Sequence, residues 1–113
     1  MISPEKIQAI LKQYEKHGWS LRRVLLSART KLPPEFFGKI EIVSSESDAL
    51  WFSRASAEGR EAWELRSLSN APFALVEVFE TEDEEEVREE IRQEMQTRLT
   101  EQASKSVNGK VAD

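Results

Sequence analysis

The sequence predicts an α+β domain: an antiparallel sheet of four or five strands with an amphipathic helix at each end. Three observations predict it. Residues 4–17 carry helix start, stripe and stop signals in order. Residues 49–79 hold three β-rich runs separated by short turn-prone loops. From residue 87, apolar side chains recur every fourth position behind an acidic run.

Ser3-Pro4-Glu5 opens the first helix. Serine caps free N–H groups, proline suits the first helical position, and an acid meets the positive end of the helix dipole. Ile7, Ile10, Leu11 and Tyr14 fall at i, i+3, i+4 and i+7, one face of a 3.6-residue period. His17-Gly18 closes it, with glycine free to turn left-handed.

Residues 19–27, with Leu21, Val24, Leu25 and Leu26, read as a strand. Residues 28–38 form a connector in which Pro33-Pro34 forbids a long helix, though Leu32 to Phe37 can cover part of a core. Residues 39–43 alternate and read as a short edge strand, followed by a polar loop at 44–48. The three runs of the meander are 49–54, 61–68 and 73–79. Their joining loops are too short for a parallel crossover, which needs about a dozen residues, so the three strands are antiparallel neighbours. Thr81-Glu82-Asp83-Glu84 matches a capping box, and Val87, Ile91, Met95 and Leu99 stripe a helix over 82–99. The domain is expected to span 1–100, with 101–113 a flexible tail lacking periodicity.

Composition narrows the function classes. At 113 residues the chain has the length of one domain. It has no cysteine, which removes a disulfide framework and a thiolate metal site. Neither a signal-like apolar run nor a membrane-spanning stretch is present, so the expected location is cytoplasmic. Residues 1–80 hold eleven Lys/Arg and eleven Asp/Glu; residues 81–113 hold five and ten, which places the whole net charge of −5 in the C-terminal part.

No motif for catalysis, metal or phosphate emerges, and no cofactor is expected. His17 is the only histidine and is explained by its helix end. The acids at 82–86 lack the glycine turn of a calcium loop. Glu77 stands in an apolar strand; Arg54 or Arg66 on a neighbouring strand is its expected partner.

What invites a functional reading is the sheet itself. Side chains alternate between faces of a strand. In 73–79, Phe73, Leu75 and Phe79 share one face and Ala74, Val76 and Val78 the other. A sheet with one wet face shows cleaner polar alternation. The sequence therefore predicts a sheet covered on both sides, by its own helices and connector or by a partner.

The reading that follows is a small non-catalytic protein-interaction or self-associating module, its partner another protein or a second copy. Trp51 and Trp63, with Val87, Ile91 and Met95 on the last helix, are the candidate contacts. One alternative is an enzyme with an unrecognised site using Glu77 or His17. Another is a nucleic-acid binder through the basic patch Arg22, Arg23, Arg29 and Lys31 within residues 22–39. The helix–strands–helix order resembles that of double-stranded-RNA-binding domains. Those carry lysines at the start of the last helix, where this chain has Glu82 to Glu86. With an acidic balance overall, that departure counts against nucleic acid.

Overall fold

A computed structural model describes residues 3–33, 35–69 and 73–112, with 103–112 as backbone. It is an α+β fold of two helices and one five-stranded sheet. In chain order the elements are α1 (Pro4–Lys16), β1 (Ser20–Leu26), β2 (Glu41–Ser44), β3 (Ala49–Ala55), β4 (Glu61–Ser67), β5 (Ala74–Phe79) and α2 (Glu85–Ala112). The strands lie in the order β2-β1-β3-β4-β5.

The local signals of α1 act as the sequence suggests. The Ser3 side chain accepts from the Lys6 amide, and His17 caps the C-terminus, its N–H donating to the last carbonyls. Gly18 follows at φ +84°, a conformation that costs a residue with a Cβ.

β3, β4 and β5 pair antiparallel, as β1 does with β3. β1 and β2 instead run parallel, from Arg23 beside Glu41 to Leu26 beside Ser44. The expectation of a wholly antiparallel sheet is corrected there. Residues 27–40 are long enough for a crossover, so nothing forces β2 to return as a hairpin. Asp48 fastens that crossover. Its carboxylate accepts from the Ser27 amide and the Thr30 hydroxyl, and its carbonyl accepts from the Leu68 amide.

The sheet is buried on two faces by different elements. On one, α2 lays Met95 and Leu99, with Ile91 beside them, over Leu25, Ala49, Trp51, Trp63, Leu65 and Phe79. On the other, α1 and the crossover bring Ile7 and Phe37, with Tyr14, Leu32, Phe36 and Ile40, onto Val24, Leu50, Phe52 and Leu68. Both apolar rows of β3 are thereby dry: Ala49 through Ser53 are all buried. The result is three layers, helix and crossover, sheet, helix.

α2 departs from its predicted bounds at both ends. The capping box does not form. Thr81 donates its hydroxyl to the Glu58 carbonyl, and the Asp83 carboxylate accepts the Glu80 amide, so a turn over 80–83 delays the helix to Glu85. Beyond residue 99 the helix continues through residue 112, a stretch where periodicity did not call for it. Of the turn expected between β4 and β5 at 69–72, residues 70–72 lie outside the described residues. Among those described, no helix is long and apolar enough to cross a membrane.

Candidate protein-interaction surface

α1 crosses the sheet over β1 and β3, and its reach ends at β4. The last contact is Tyr14, whose ring stacks on Phe52 at 3.9 Å and 7° and whose hydroxyl donates to Glu64. Burial and the bond to Glu64 push the Tyr14 hydroxyl far above its ordinary value, so it stays a donor at any physiological pH. Beyond Glu64 nothing covers the sheet among the described residues. On β5, Ala74 is exposed, Val76 is 55% exposed and Val78 43%.

β5 is also an edge. Its six residues pair with β4 in an unbroken ladder from Arg66 opposite Ala74 to Glu61 opposite Phe79. The N–H and C=O groups pointing the other way have no strand partner among the described residues. Edge strands are usually guarded by proline, lysine or a bulge. Ala74–Phe79 has none of the three, and its one charge, Glu77, points toward the α2 side. The opposite edge, β2, is four residues long and exposes one large apolar side chain, Ile42.

Glu77 lies on the α2 side of β5, opposite Trp63. It is half-buried, and no hydrogen bond or ion pair reaches its carboxylate among the described residues. The expected partners sit on the other face. Arg54 stacks on Trp19, 4.7 Å from its centroid, and donates to the His17 carbonyl; Arg66 donates to the Ser67 carbonyl. The error was one of parity: Glu77 aligns with Trp63, whereas Arg54 and Arg66 align with Ala62 and Ala74.

Trp51 is fully buried, Trp63 is 7% exposed and Met95 2%; all three pack within the chain's own core under α2. The cover over the tryptophan face is therefore intramolecular. Ile91 is half-buried at the rim of that core, and Val87 remains 45% exposed near the start of α2.

The basic patch is divided. A bulge between Leu21 and Arg23 turns both Arg22 and Arg23 toward α2. Arg22 lies 5.6 Å from the Trp63 centroid. Arg23 pairs with Glu41 and Glu89, both at 3.3 Å. Arg29 and Lys31 are exposed on the crossover, which packs on the other face.

On the α2 side, Arg92 stacks 4.4 Å from the Trp63 centroid and bonds Glu89 and Glu85. Burial pushes the Glu89 carboxyl up, but hydrogen bonds from Gln93 and Arg92 and the charge of Arg23 outweigh it and hold the carboxyl below its ordinary value. These charges are matched to one another beside the stacked Arg92 stem.

His17 is exposed at the end of α1, with Gln13 3.1 Å from its Nε2, and Glu77 is on the opposite face of the sheet. Beside the end of β2, a shallow cleft of about 500 Å³ is lined by Leu26, Ile42, Val43 and neighbouring serines, and a second of about 380 Å³ by Gln93, Gln96, Thr97 and Glu101. Neither contains histidine, lysine or arginine. No cluster of metal-ligating side chains occurs among the described residues.

Sequence reasoning identified the two apolar rows of residues 73–79 but not which one stays bare. That depends on where α1 ends across the sheet, a tertiary fact with no local signal. No family model matches the chain, no curated protein matches it, and no solved structure matches it.

Proposed function

We propose that this chain is a protein-interaction module that takes up an extended segment of a partner protein as a sixth strand beside β5. One observation carries the reading: an edge strand without proline, lysine or bulge whose outer ladder is open and whose Ala74, Val76 and Val78 face solvent. Strand addition draws affinity from main-chain hydrogen bonds and specificity from alternate side chains. The bare row is narrow. Its three side chains fall well short of the roughly 800 Å² per partner of a standard interface between folded surfaces, and suit a single strand better.

The test is a titration with a short synthetic peptide alternating valine and threonine. Val76→Asp places a charge in the middle of the exposed row. It should cost about 1 kcal/mol of stability, since the new carboxylate stands opposite Glu64 in a strand, and abolish peptide binding measured by calorimetry. Equal affinity of the peptide for the native chain and Val76→Asp contradicts the reading.

A further inference from the structure

The same edge has an electrical character that selects among extended segments, and this inference rests on the strand-addition reading. Residues 73–86 contain seven acidic side chains and no lysine or arginine. Part of that charge is already matched: Glu80 pairs with Arg60 at 3.0 Å, and Glu85 with Arg92. Glu82, Glu84 and Glu86 are exposed just beyond the end of β5. Glu77 differs from them because it is within the ladder, half-buried between Leu75 and Phe79 on the α2 side, and has no cation beside it among the described residues.

We infer that the segment taken up by β5 is a basic one. It alternates small or aliphatic residues with lysine or arginine, and one cation stands directly opposite Glu77. The geometry assigns the two kinds of residue to opposite faces. On the side away from α2, the incoming strand meets Ala74, Val76 and Val78 and needs apolar side chains. On the α2 side it meets Leu75, Glu77 and Phe79, with the acidic turn beyond. Residues directly opposed across an antiparallel pair have Cβ atoms about 5 Å apart, near enough for a lysine to reach the carboxylate while its stem covers Leu75 and Phe79. An added strand also removes water from one side of Glu77. A buried carboxylate without a partner is costly, so a segment without a cation is penalised as well as unrewarded. The exposed acids at 82, 84 and 86 add attraction at longer range and speed encounter.

A second copy pairing through its own β5 does not meet this requirement. In any register, β5 of another copy offers Glu77 a neighbour from residues 73–86, none of which is basic. Self-pairing brings two acidic segments together and leaves both glutamates unmatched. Nucleic acid is repelled for the same reason.

Three peptides of one length test the inference by calorimetry at low salt. All carry valine at alternate positions; the positions between hold lysine, threonine or glutamate throughout, so a shift of register by two residues leaves the chemistry unchanged. The lysine peptide should bind about tenfold more tightly than the threonine peptide, and the glutamate peptide should not bind. Glu77→Gln should reduce the lysine advantage about three- to fivefold, the size of one cross-strand charge pair, and tighten the threonine peptide's binding, because no unpaired carboxylate is then desolvated. Equal binding of lysine and threonine peptides overturns the inference and leaves strand addition standing. An unchanged lysine advantage in Glu77→Gln overturns the role of Glu77. If no peptide binds, strand addition itself fails. A dimer whose β5 amides are already protected without peptide overturns both in favour of self-pairing.

Discussion

Trp51→Ala should lower the stability of the fold by about 3–5 kcal/mol, the range for removing a large aromatic from a close-packed core. Trp51 is on the central strand, fully buried, with Trp63 edge-on at 5.9 Å and 71°. Its indole N–H donates to Gln96 Oε1 of α2 at 2.8 Å. Truncation loses the contact area, leaves a cavity under α2 and strips the amide of its donor. A domain of this size has about 5–15 kcal/mol in all, so the variant should be partly unfolded at ambient temperature or close to it. Urea unfolding followed by circular dichroism measures the loss. A cost under about 1 kcal/mol would mean that α2 does not close this face of the sheet.

Arg92 yields a second large effect, in which two substitutions should diverge. Its side chain is 2% exposed, stacked on Trp63, with Phe79 at 5.8 Å. Nε and Nη2 are satisfied by Glu89 and Glu85, but Nη1 is buried without an acceptor. A dry donor left unmade costs about 1–3 kcal/mol. Both carboxylates can return to water, because Glu85 is 74% exposed and Glu89 38%. Arg92→Met keeps the stem over the indole, and its thioether suits an aromatic face. It should therefore be neutral or stabilising by up to about 1–2 kcal/mol, as is common when a hydrophobe replaces a buried ion pair. Arg92→Ala leaves a gap above Trp63 and should cost about 2–4 kcal/mol. Thermal unfolding of the two variants side by side separates packing from charge. If both lose stability equally, the ion pairs rather than the stem hold α2 in place.

How far the sequence could be read depended on the range of the interaction. α1 is specified by neighbours in sequence, from the Ser3 cap to the His17-Gly18 stop, and it appears between those signals. β3 to β5 are β-rich runs joined by short loops, and those local signals were enough to place them. Longer-range features left no such trace. The bulge that turns Arg22 and Arg23 to one side exists only because β1 pairs with β3. The parallel β1–β2 pair depends on the crossover and on Asp48 holding its start. The capping signal at Thr81 was locally sound, but a carbonyl from residue 58 took the hydroxyl. Trp51 and Trp63 had the composition of interface anchors and are core residues. The surface left bare is a row of smaller side chains, Ala74, Val76 and Val78, which no composition rule singles out.

Amide hydrogen exchange along residues 74–79, read by nuclear magnetic resonance with and without the lysine-alternating peptide, tests the account most directly. Amides of β5 that point toward β4 should be protected in the free chain, and those that point outward should exchange rapidly. Peptide should slow the outward amides alone and leave β2 unchanged. Outward amides that are already slow in the free chain, or protection that appears on β2 instead of β5, would contradict the account.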